Sequence, residues 1–154
     1  MVSLFLGEKM FKHILMPTDG SETSKRTIQD CIAFAREIGA EVTALHVIPE
    51  YPVYAYQAEM LVDTREQFTN ECIECANEYL GDVKTAAKEA GVKCDTYTVT
   101  SDYPYAAIIQ AAQDKQCDLI VMASHGRKGV KGLLLGSETQ KVLTHSQIPV
   151  LVYR

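Results

Sequence analysis

The stretch 119-LIVMASHGRKGVKGLLLGSET-139 passes from an apolar block through a loop with four glycines and three cations into polar residues able to open a helix. A buried strand, a glycine-rich loop and a helix start, in that order, point to alternating α/β architecture. The same block begins at Asp118, and 118-DLIVMA-123 reads as a strand buried on both faces.

Working outward, the chain repeats this alternation. Residues 12–17 (KHILMP) form a second short apolar strand, ended by Pro17. The turn 18-TDGSETS-24 offers several helix caps, and Ile28, Cys31, Ile32, Ala35 and Ile38 follow at helical spacing until Gly39. Next comes a strand, 41-EVTALHVI-48, closed by Pro49. Residues 50–58 are aromatic and polar without a clear period. A long helix is expected over 59–90, with Phe68, Cys72, Cys75/Ala76, Tyr79, Val83 and Ala86/Ala87 on one face. Gly81 inside it costs about 1 kcal/mol relative to alanine and is a candidate bend. Residues 92-VKCDTYTV-99 alternate and carry charge, as an edge strand does. A third helix opens at Asp102 or Tyr103, with Pro104 in its first turn and Ile108, Ile109 and Ala112 on its apolar face. Ser137 and Gln140 have capping-box spacing for a fourth helix, and 148-IPVLVYR-154 is the last strand.

Strict alternation predicts one α/β domain: a doubly wound, five-stranded parallel sheet with helices on both faces. Length fits a single domain, with 154 residues, and the composition of 47% hydrophobic and 23% charged residues is that of a soluble globular chain. Net charge of −5 argues against general binding to nucleic acid or anionic membranes. The five cysteines, at 31, 72, 75, 94 and 117, show no disulfide spacing, which fits a reducing compartment, and the cytoplasm is the expected location. The apolar run 2–6 is too short to span a membrane; residues 1–10 read as a tail ahead of a domain over 11–154.

The two most apolar strands, 12–17 and 118–123, belong at the sheet centre. If they are neighbours, a crevice opens at their carboxyl ends, between 17-PTDGS-21 and the glycine-rich loop. Glycines let backbone N–H groups approach a ligand, the helix start at Ser137 offers unpaired N–H groups, and Ser137, Thr139 and the cations Arg127, Lys128 and Lys131 add donors. A phosphate chain matches this set; a solvated crossover with an ordinary cap is the plain alternative. The loop has no G-x-x-x-x-G-K-[ST], and its glycine spacing and late position do not fit a dinucleotide fingerprint.

Taken together, P-T-D-G-S after the first strand, L-H-V ending the second, and A-S-H-G followed after nine residues by G-S resemble the universal stress protein family across residues 11–154. Its nucleotide-binding branch carries G-x-x-G, nine residues, then G-[ST]. Here Ala123 takes the first glycine position, while Gly126, Gly136 and Ser137 match the others. The resemblance implies an ATP site, or one for another adenine nucleotide. Pro17, Thr18 and Asp19 would meet adenine and ribose, and Val47 would line the base pocket. Met122 and Ala123 would lie under the ribose. Gly126, Arg127, Gly136, Ser137, Glu138 and Thr139 would surround the phosphates. The Glu138 carboxylate must point away from phosphate or reach it through a bridging Mg²⁺ or Mn²⁺. Alanine at 123 fits if φ there is negative and clashes if it must be positive.

Other features read more plainly. Cys72 and Cys75 form a C-x-x-C, but with no second pair they are expected to pack in the core. Ser124 and His125 are expected to point apart as chain neighbours, so no catalytic residue is assigned. His125 serves equally as a phosphate contact or a turn cap, and His46 as a satisfied strand residue. Tyr51, Tyr54 and Tyr56 read as a solvated loop with local packing. In the strand order 3-2-1-4-5 the apolar last strand lies at an edge, and a homodimer through residues 149–153 is expected, as the resemblance also implies. The leading function is an ATP-binding regulatory protein of the stress response with little or no turnover. The alternatives are a slow ATP hydrolase and a dimeric interaction module without nucleotide.

Overall fold

A computed structural model describes residues 8–51, 61–125 and 135–154. Gly126, Arg127, Lys128, Lys131, Tyr54 and Tyr56 lie outside the described residues. Among the described residues nine elements alternate: β1 His13–Pro17, α1 Glu22–Ile38, β2 Glu41–Ile48, α2 Leu61–Ala90, β3 Cys94–Thr100, α3 Pro104–Asp114, β4 Leu119–Ala123, α4 Ser137–His145 and β5 Val150–Tyr153. The strands form one five-stranded sheet in the order β3-β2-β1-β4-β5, and every neighbouring pair is parallel. The expected fold class and strand order are those observed.

Alternation along the strands divides the core in two. Ile14, Met16, Val42, Ala44 and Val121 pack with α1 and α2 on one face. Leu15, Leu45, Ile120 and Met122 pack with α3 and α4 on the other. All five residues of β4 are buried, as its uninterrupted apolar run requires. At the centre, β1 and β4 pair through Ile14–Leu119 and Leu15–Ile120. Their crossovers leave in opposite directions beyond that point, and this is where a doubly wound sheet opens. Among the described residues, no helix is long and apolar enough to cross a membrane.

Two local expectations are corrected. The Ser137–Gln140 capping box does not form: Gly136 is the N-cap of α4, in an extended conformation, and Ser137 is already helical. The Gln140 side chain reaches back past the cap and donates to the Leu135 carbonyl at 3.0 Å. The C-x-x-C is not core either, because Cys75 is exposed and Cys72 only half-buried. The reason is length. The 30 residues of α2 span about 45 Å, whereas the eight residues of β2 span about 26 Å. The first turns of α2 therefore run past the sheet, and among its described side chains burial begins at Ala76 and continues through Tyr79, Leu80 and Val83. Helical geometry continues through Gly81 without a break.

Candidate functional site

The crevice expected between the loops after β1 and β4 is present as a cleft of about 710 Å³. Ten of the expected residues line it: Pro17, Thr18, Asp19, Val47, Met122, Ala123, Gly136, Ser137, Glu138 and Thr139. This volume lies within the range of small-molecule sites.

The loop after β1 owes its shape to short-range polar bonds. The Asp19 carboxylate accepts from the Ser21 N–H at 2.9 Å, and the Ser21 hydroxyl caps α1 by accepting from Ser24 N–H at 3.1 Å. Between them Gly20 sits at φ +74°, and a Cβ there would overlap the Tyr79 ring of α2. Both the left-handed backbone and the close approach require glycine. Two consecutive residues of β2 fasten the loop from the side. Thr18 N–H donates to the Leu45 carbonyl at 2.8 Å, and His46 Nδ1 donates to the Thr18 carbonyl at 2.8 Å.

Across the cleft, Gly136 N–H donates to the Ser124 carbonyl at 2.6 Å and pins the start of α4 to the end of β4. The first bond inside α4 is Gln140 N–H to the Gly136 carbonyl at 3.0 Å. The N–H groups of Ser137, Glu138 and Thr139 therefore have no intrahelical acceptor, and these residues line the cleft. Such a helix start attracts anions. The side chains divide their labour. The Thr139 hydroxyl is buried and donates to the Ala123 carbonyl at 3.0 Å, so the backbone N–H is what Thr139 offers a ligand. Glu138 Oε2 accepts from Tyr105 N–H at 2.8 Å, and its Oε1 pairs with Lys141 at 3.1 Å. Of the two orientations open to that carboxylate, the structure shows the one directed at α3. Among the described residues there is no cluster of three metal-ligating side chains.

Ala123 is the last residue of β4, and among the described residues Gln116 is the one non-glycine with positive φ. Alanine at this position thus adopts ordinary strand geometry, which removes the backbone objection to it. The expectation that Ser124 and His125 point apart is overturned: Ser124 Oγ lies 2.9 Å from His125 Nδ1. Residue 124 is in a bend just past β4, so strand alternation no longer applies to it.

Sequence reasoning missed part of the lining. Leu45, His46 and Pro49 come from the end of β2, and Ser101, Asp102, Pro104 and Ile108 from the end of β3 and from α3. Asp102 Oδ1 accepts from Glu50 N–H at 2.9 Å and clasps these two loops together. The signal was available, because the rule that places ligands at strand carboxyl ends extends to β2 and β3.

The sequence profile described as "Universal stress protein family" matches residues 10–154. The universal stress protein MJ0531 of Methanocaldococcus jannaschii is 36% identical over 148 residues, covering 96% of this chain and 85% of the relative. Protein MJ0577 of the same organism is 33% identical over 156 residues, covering 94% and 96%. Its solved structure has a TM-score of 0.79 at 34% identity, with 93% and 95% of the two chains covered. A universal stress protein of Archaeoglobus fulgidus solved in complex with dAMP shares the fold, with a TM-score of 0.62 at 17% identity over 94% of this chain and 99% of that one.

Proposed function

The chain belongs to the universal stress protein family, and from that membership we propose that the cleft binds an adenine nucleotide, ATP in particular. We read the protein as a regulatory one of the stress response, with little or no turnover. The observation that carries this reading is the open start of α4. Three backbone N–H groups, at Ser137, Glu138 and Thr139, stand at a cleft that Asp19 and the apolar side chains of Val47 and Met122 also line. The open N–H groups suit phosphate, and the apolar lining with Asp19 suits a base with a hydroxylated sugar. The dAMP complex of the Archaeoglobus relative supports the reading to the extent that the same fold admits an adenine nucleotide there.

In this arrangement Pro17, Thr18 and Asp19 meet the nucleoside, with the Asp19 carboxylate accepting from sugar hydroxyls or the base amine. Met122 and Ala123 lie beneath the sugar. Gly136 and Ser137 hold phosphate together with Gly126 and Arg127. Mg²⁺ or Mn²⁺ would bridge phosphate oxygens and neutralise their charge. The three cleft carboxylates are each held by a backbone amide: Asp19 by Ser21, Asp102 by Glu50 and Glu138 by Tyr105. The edge position of β5, with all four residues half-buried, supports a homodimer paired through residues 149–153.

The test is native mass spectrometry with thermal-shift titration of ATP, ADP, AMP and GTP, each with and without Mg²⁺ or Mn²⁺. Adenine-selective stabilisation is expected. Absence of bound nucleotide and of any shift leaves the dimeric interaction module as the function.

A further inference from the structure

We propose that His46 is a positioning residue for the nucleoside end of the cleft: it holds the Thr18 carbonyl and thereby sets the direction of the Asp19 carboxylate. The proposal rests on the nucleotide reading for its ligand, but not for its geometry.

The bond from His46 to Thr18 is directional. A carbonyl only accepts, so His46 Nδ1 carries the proton in this 2.8 Å contact. That fixes the neutral tautomer and leaves Nε2 unprotonated; the charged ring makes the same bond. Strand alternation places the ring on the α2 side of the sheet, because Leu45 before it packs on the α3 and α4 side. There the ring meets Tyr79 edge to face, with centroids 5.2 Å apart and planes at 72°. The ring cannot turn away without losing this contact.

Short bonds within the loop act alongside this one: Asp19 N–H donates to Ser24 Oγ and Gly20 N–H to Thr18 Oγ1, each at 3.4 Å. Pro17 brings no N–H to the ladder. Thr18 then uses its N–H on Leu45 and its carbonyl on His46, so both of its backbone polar groups are fixed by β2. Asp19 follows directly, with its carboxylate locked to Ser21 N–H, and Gly20 rests against the same Tyr79 ring that orients His46. Tyr79, His46 and residues 18–20 thus form one unit, which lines the cleft through Asp19.

The competing account is that His46 merely fills space beside Tyr79. Three variants separate the two. His46→Asn places an amide N–H where Nδ1 stands and keeps the bond. His46→Gln carries its amide out to the Nε2 position and loses it. His46→Leu keeps bulk and donates nothing. Dissociation constants for AMP, ADP and ATP are measured by calorimetry. In the ligand-free protein, exchange of the Thr18 and Ser21 amides is followed by NMR. The expectation is that Asn stays within about threefold of the parent. Gln and Leu should weaken all three nucleotides by about the same factor, on the order of tenfold, and speed exchange at both amides. Equal factors across the series locate the loss at the nucleoside end. Parental affinity and exchange in Leu would reduce His46 to packing, and equal loss in Asn would show that the donor position is irrelevant; either overturns the proposal. If the parent binds no adenine nucleotide, the functional reading fails by itself, and the exchange rates still decide whether His46 orders the loop.

Discussion

Glu138, in the first turn of α4, accepts a hydrogen bond at 2.8 Å from the backbone N–H of Tyr105, in the first turn of α3. One helix thus caps another. The N-cap of α3 is Tyr103, which makes no side-chain cap bond, and Pro104 at the first helical position has no N–H to satisfy. The carboxylate also complements the positive end of α3. Removing it in Glu138→Ala should cost about 1 kcal/mol, the usual worth of a cap. Glu138→Gln keeps an acceptor for Tyr105 and should lose less than half of that. The negative charge also stands beside the open N–H groups of α4, where phosphate is proposed to bind. Glu138→Gln should therefore tighten ATP by roughly threefold at low salt, with the gain fading as salt screens it. Urea denaturation and calorimetric titration at two ionic strengths read both effects.

Gly20 and Tyr79 make a second cross-element contact that sequence alone does not reveal. Gly20→Ala faces two costs: a left-handed φ of +74° and overlap with the ring. The backbone part is about 1–2 kcal/mol, and overpacking adds about 1–3 kcal/mol. A double-mutant cycle separates them. In a Tyr79→Ala background only the backbone part should survive, so the two substitutions should couple by 1 kcal/mol or more, in the sense of mutual relief. Simple additivity would show that the ring does not press on residue 20.

Gly81 is the opposite kind of glycine. It lies in the body of α2, its φ is not positive, and a Cβ there meets nothing within 4 Å. Gly81→Ala should raise stability by about 0.5–1 kcal/mol at an unchanged denaturant m-value, through lower entropy of the unfolded chain. A loss of stability on urea denaturation would reveal a bend that needs glycine.

These examples show why the sequence yielded some features and withheld others. The central pairing of β1 with β4 and the crevice between the loops that follow them came from two apolar blocks and the rule for strand ends, because both depend on period and position alone, whereas the ten individual cleft residues were what the family resemblance implied. What depended on a side chain choosing between neighbours did not follow. The spacing of Ser137 and Gln140 is that of a capping box, yet Gly136 takes the cap and Glu138 serves α3. Cys75 holds helical phase with Ala76 and Tyr79, but phase does not tell where α2 leaves the sheet. His46 reads as a satisfied strand residue, and it is satisfied; that its partner is the Thr18 carbonyl required the register of β1 on β2.

The cysteines give the last prediction, because their environments differ so widely. Cys75 is exposed and Cys72 half-buried, with burial pushing the Cys72 thiol above its ordinary value. Cys31 is fully enclosed, and burial, then the neighbouring Cys94, push its thiol up from 9.0 to about 12. Thiolate is the reactive form, so an aromatic disulfide reagent at neutral pH should label Cys75 first, Cys72 more slowly, and Cys31 only on unfolding. The Cys31 shift also has a pH signature. A thiol raised on folding stays protonated in the native state while the unfolded chain releases its proton. Its contribution is fully present below pH 9 and is lost as pH rises toward 12, by up to about 1.4 kcal/mol per pH unit. Cys31→Ala removes that loss. The variant should be less stable than the parent at pH 7, through the cavity it leaves, and the gap should narrow steadily between pH 9 and pH 11. Urea denaturation across that range measures it, and a constant gap would mean that the Cys31 thiol titrates alike in both states.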